Sequence, residues 1–91
     1  MATLLKPNGE SVEVQPRYGK KFKLEELQKF VGGYIELVTL ADRRQMFVNE
    51  DGKYKADLER NAAATKLFHE AGGMPNDQIV GNAIVCWKKE V

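Results

Sequence analysis

Two short stretches near the N-terminus, Thr3 to Lys6 and Glu10 to Val14, read as extended segments, with Pro7-Asn8-Gly9 between them and an apolar-polar alternation in the second. Proline presets φ at one corner and Asn or Gly accepts the positive φ of a tight turn. The pattern therefore predicts a β-hairpin with Val12 and Val14 on one face of its second strand and Ser11, Glu13 and Gln15 on the other. Pro16 ends it. From Leu24 to Val31 the apolar positions recur at helical spacing, with Glu25 and Glu26 in the first turn and Lys29 in the last, where the macrodipole favours each sign. Gly32 stops this helix in the left-handed conformation, and Gly33 leads into Tyr34 to Leu40, a β-rich run expected at the centre of a sheet.

Ala41-Asp42-Arg43-Arg44 reads as a polar loop into Gln45 to Asn49, an antiparallel neighbour of the preceding strand closed by the turn Glu50-Asp51-Gly52-Lys53. Asn61 is an N-cap for a second helix from Ala62 to Ala71, with Ala64, Leu67, Phe68 and Ala71 as its apolar stripe and Gly72 as its stop. Ile79 to Trp87 is apolar on both faces, as expected of a strand inside the sheet and covered on both sides; Gly81 and Asn82 fall in its middle. The order β-β-α-β-β-α-β predicts an α+β fold, one mixed or antiparallel sheet carrying two helices.

At 91 residues the chain has room for one modest core, so residues 1–91 read as a single domain. Its 14 Lys and Arg nearly cancel 13 Asp and Glu, which leaves no global basic field and disfavours binding to extended nucleic acid. The distribution is less even: Lys6, Arg17, Lys20, Lys21 and Lys23 face only Glu10 and Glu13 among residues 1 to 24. A single cysteine, Cys86, in an apolar run reads as a buried, reduced thiol. Met1 to Pro7 lacks the basic-then-apolar pattern of a signal peptide, and nowhere do about 18 apolar residues run together. The expectation is a cytoplasmic protein without membrane partners.

Val31-Gly32-Gly33-Tyr34-Ile35-Glu36, then Val48 to Lys53, then Asn61 with Ala64-Thr65, and finally Asp77 to Ala83 form an ordered series. In these motifs the chain resembles the DUF3846 family, small domains of unknown function from phages, plasmids and other mobile elements. The resemblance implies a setting in the host-cell cytoplasm and brings no catalytic residues. In that setting it suggests a counter-defence protein that grips a host defence protein or sequesters a nucleotide signal.

The residues themselves favour binding over catalysis. A nucleophile relay would need His69, which reads as a solvated helix-end histidine, and one His with one Cys shows no metal-ligand spacing, so neither metal nor cofactor is expected. Arg17, Tyr18 and Lys21, with Lys20 and Phe22, interleave cations and rings in the connection from 17 to 23, a pattern suited to clamping an anion beside a stacking ring. Arg43 is a second basic candidate. Glu36, alone in an apolar strand, faces solvent or a polar pocket, and Asn82, a mid-strand amide, offers hydrogen bonds to a ligand. Gly81 suggests close approach by a helix, a ligand or a second subunit. Three functions follow in order: a binder of a small anionic or nucleotide-like ligand, an inhibitor gripping a host protein, and a small hydrolase. Tyr18, Phe22, Phe47, Tyr54 and Trp87 are more rings than two helices need over one sheet, which predicts a homodimer or higher self-assembly near the basic connection.

Overall fold

The computed structural model describes residues 2–51 and 58–91. Ala2–Leu5 (β1) and Ser11–Val14 (β2) form the expected hairpin, closed where the Lys6 N–H donates to Glu10 O and the Gly9 N–H to Lys6 O. Leu24–Val31 is α1, and Gly32, at φ 80°, ends it in the left-handed region. Ile35–Thr39 (β3) and Gln45–Asn49 (β4) are antiparallel neighbours; α2 spans Ala62–Glu70, with Ala71 as its cap, and Ala83–Cys86 is β5. A short 3-10 turn, Lys88–Glu90, follows. The turn expected over Gly52 and Lys53, and Tyr54, lie outside the described residues.

Among the described residues all pairings are antiparallel, and the strand order is β2-β1-β5-β4-β3. β5 is the middle strand, as its two-sided apolar pattern requires. Ile84 and Cys86 join Leu4, Phe47, Leu27 and Val31 in the core beneath α1. Ala83 and Val85 join Leu5, Met46, Val48 and Ala64 in the core beneath α2. The two helices thus cover opposite faces, and the alternation of side chains along β1, β4 and β5 divides the apolar residues between them.

Three expectations need correction. The run 34–40 is an edge strand, not a central one: its burial is discontinuous, and Glu36, Leu37 and Thr39 are exposed. Gly81 and Asn82 are not mid-strand. β5 starts only at Ala83, and Gly81, at φ 78°, turns the chain into it after an isolated bridge between Arg60 and Val80. Phe22, offered as a stacking ring, is 5 % exposed and packs edge-to-face on Phe30 inside the α1 core, and Phe47 is buried as well.

The register sets the two ends of the sheet apart. Ala2, Val14, Cys86, Gln45 and Thr39 align at one end; Leu5, Ser11, Ala83, Asn49 and Ile35 lie toward the other. The connection from β2 to α1, the β3–β4 turn and the C-terminal 3-10 turn therefore share the first end. The β1–β2 turn, Gly81-Asn82 and the C-terminus of α1 lie toward the second, where Asn82 reaches the Phe30 carbonyl.

Candidate functional site

At the first end, Glu26 of α1 fixes the connection that precedes its own helix. Its Oε2 accepts the Arg17 N–H at 2.8 Å and its Oε1 the Lys23 N–H at 3.2 Å, so one carboxylate holds the segment 17–23 at both ends. The Lys23 bond is half of a capping box; a lysine side chain has no acceptor with which to complete it. Between these anchors the chain carries Tyr18, Gly19, Lys20 and Lys21 outward, while the buried Phe22 roots it in the core. The Phe22 N–H donates to Glu90 O at 2.6 Å, which brings the C-terminal turn alongside. Glu90 in turn accepts the Trp87 N–H through Oε1 at 2.8 Å, shaping that turn.

Between the two segments is a concavity of about 540 Å³, lined by Gln15, Pro16, Lys20, Lys21, Lys89 and Glu90. Tyr18, on the same segment but outside the lining, has 64 % of its surface exposed, with the Arg17 guanidinium 5.6 Å and the Lys23 ammonium 5.5 Å from its ring centroid. The structure thus sets Arg17 against Tyr18 and brings Lys21 to Lys89, which the sequence reading missed because it is 68 positions from Lys21 (89 − 21) and carries no local signal.

The other named candidates lie apart from this concavity. Asn82 donates from Nδ2 to Phe30 O at 3.1 Å, and Asn49 donates to Val31 O at 3.1 Å; together they satisfy carbonyls that the end of α1 leaves without helical partners. Asn61, fully buried, accepts the Ala64 N–H as N-cap and donates to both Leu5 O and Gly81 O, so it ties α2, β1 and the entry to β5 into one joint. Asn82, offered on sequence grounds as a ligand-binding amide, thereby has a partner within the fold, and it also lines a groove at this end. A groove of about 450 Å³ lies at this end, with Lys6 and Lys29 on its walls beside Glu59.

Glu36 is exposed on β3 and borders a recess of about 100 Å³ with Glu50, Phe68 and Asp77, which is too small and too acidic for a nucleotide-sized anion. Arg43 occupies the β3–β4 turn at φ 74°, exposed, its N–H donating to Leu40 O. Its neighbour Arg44 pairs with Asp42 at 2.6 Å, and the Arg44 backbone N–H and guanidinium together hold the Asp42 carboxyl below its usual range.

His69 is half-buried and not solvated as the sequence suggested: Nε2 lies 2.7 Å from Asp77 O, to which it donates, clasping the loop after α2 against the helix. Burial, aided by the nearby Glu90 charge, pushes the Cys86 thiol up to about 11. Among the described residues no group of three or more His, Cys, Asp or Glu is placed to hold a metal ion, and no helix is long and apolar enough to cross a membrane.

A family described as a domain of unknown function (DUF3846) matches the chain over residues 1–90. Neither the curated proteins nor the solved structures gave a match.

Proposed function

This chain belongs to the DUF3846 family, whose description assigns no activity, and from its own residues we propose that it is a non-enzymatic protein binding a small anionic or nucleotide-like ligand at the basic end of the sheet. The observation that carries this reading is the shared concavity of about 540 Å³ in which Lys20 and Lys21 from one segment meet Lys89 from another, the first segment also carrying the exposed ring of Tyr18. Lysines converging from separate segments stabilise a multiply charged anion better than the same charges strung along one loop, because each ammonium reaches the anion from its own direction. The ring offers a face to a base, with Arg17 and Lys23 completing the positive surroundings.

Two features support binding over turnover. His69 spends Nε2 on a backbone carbonyl that holds the loop after α2, and Cys86 is buried with its thiol pushed up to about 11, so each has a structural use in the fold. In the mobile-element setting that the resemblance suggests, capture of a nucleotide signal is the role such a site would serve.

Isothermal titration with ADP and with inorganic pyrophosphate separates the two parts of the site. Both probes should bind, ADP more tightly, and Tyr18→Ala should erase the difference between them. Lys21→Glu combined with Lys89→Glu should weaken both by at least about tenfold, equivalent to about 1.4 kcal/mol. Absence of saturable binding by either probe at millimolar concentration, or wild-type affinity in the double variant, would overturn the proposal.

A further inference from the structure

β3 ends the sheet, and among the described residues nothing pairs with its outer side. Which backbone groups face outward follows from the bonds at its two ends. The Glu50 N–H donates to Tyr34 O at 2.9 Å and the Leu40 N–H to Arg44 O at 2.8 Å, in the same register that pairs Glu36 with Val48 and Val38 with Met46. Antiparallel ladders alternate, so the N–H and C=O groups of Glu36 and Val38 point to β4, while those of Ile35, Leu37 and Thr39 point away from the sheet.

Natural sheets guard such an edge with lysine, proline, a bulge or a covering segment. Ile35–Thr39 has no Lys, Arg or Pro, and its one charge is Glu36. It also exposes apolar surface at Leu37 (49 %), and Tyr34, immediately before the strand, is exposed as well. The opposite edge is guarded differently: β2 is only Ser11–Val14, carries the exposed Glu13, and is flanked by Glu10 and Pro16.

We infer that β3 is the surface through which two copies of this chain associate, pairing antiparallel about a twofold axis at Leu37. In that register Leu37 faces Leu37 of the second copy and Ile35 faces Thr39, so every outward N–H and C=O of these three residues gains a partner. Glu36 then faces Val38. A register centred on Glu36 would set two carboxylates directly opposite each other in a closely spaced pair and would match only Ile35 with Leu37 within the strands, leaving Thr39 opposite Gly33 outside β3, so charge and the number of bonds favour the alignment at Leu37. Any extended peptide meets the same row of amides, but this self-complementarity identifies a second copy as the occupant. The axis at Leu37 places self-association on the edge strand, away from the basic connection where the surplus of rings suggested it.

Sedimentation of the full chain should show a dimer at micromolar concentration. Thr39→Pro removes an outward N–H without touching the β3–β4 ladder, and Leu37→Lys sets two ammonium groups opposite each other; both variants should sediment as monomers with the wild-type far-ultraviolet spectrum. Under oxidation Leu37→Cys should form a disulfide-linked dimer, since facing Cα atoms of a hydrogen-bonded pair are about 5.5 Å apart, whereas Thr39→Cys, facing Ile35, should not. A wild-type monomer at 100-fold higher concentration overturns the proposal. So does a dimer that persists in both Thr39→Pro and Leu37→Lys, or equal cross-linking of the two cysteine variants.

Discussion

The two ends of the sheet are both rich in polar side chains, yet they use them in opposite ways. At one end Asn49, Asn61 and Asn82 direct their amides inward, onto the carbonyls of Val31, Leu5, Gly81 and Phe30. At the other, Glu26 uses both carboxylate oxygens on backbone N–H groups, and the side chains it holds in place, Tyr18, Lys20 and Lys21, are left facing solvent. The first arrangement joins helices to strands and the second presents a surface. Residue type alone does not separate them; what separates them is whether the functional atoms are satisfied within the fold. A buried amide with carbonyl partners is accounted for by stability, whereas ammonium groups gathered around a concavity by a rigid anchor are what an anion requires.

Substitutions at each end should therefore move different quantities. The largest stability loss is expected from Asn61→Ala, which removes an N-cap and strips the donor from two buried carbonyls: about 3 kcal/mol, and a melting temperature lower by roughly 15 °C. Calorimetry showing a loss below about 1 kcal/mol would mean that water replaces the amide and that the joint is not dry. Gly81→Val forces a β-branched residue to φ 78° and brings a Cβ to 3.2 Å from Leu58 Cδ1, at a cost of about 2 kcal/mol measured by denaturant unfolding. A wild-type unfolding midpoint would show that the turn into β5 can be remade.

Asn82→Ala should cost about 1 kcal/mol through the unsatisfied Phe30 carbonyl while leaving ADP affinity unchanged. If it instead abolishes binding at unaltered stability, the roles of the two ends are reversed. The smallest stability effect belongs to the basic end: Arg17→Glu with Lys21→Glu should shift unfolding by less than about 0.5 kcal/mol, because solvated charges contribute little to folding. The same double variant should bind pyrophosphate at least about tenfold more weakly. Loss of stability with retained binding would place these residues with the asparagines.

The sequence by itself determined the elements and their order, because each is encoded locally. Pro7-Asn8-Gly9 makes its turn, Gly32 its helix stop and Asn61 its cap through atoms within a few residues, and the two-sided apolar run around Ile84 and Val85 leaves the middle of a sheet as its natural place. The connection 17–23 was likewise legible as a basic and aromatic segment. Only the tertiary structure decided what depends on contacts between distant residues. Tyr34 to Leu40 reads as a central strand on propensity, but propensity does not say which neighbours a strand acquires, and among the described residues β3 has one. Asn82 stood out as unexplained because its partner, Phe30, is 52 residues away, and Lys89 went unnoticed because it joins Lys21 only after the C-terminal turn docks on the Phe22 N–H. Hydrogen bonds and charge clusters of that range are created by packing the helices on the sheet, and no local pattern encodes them.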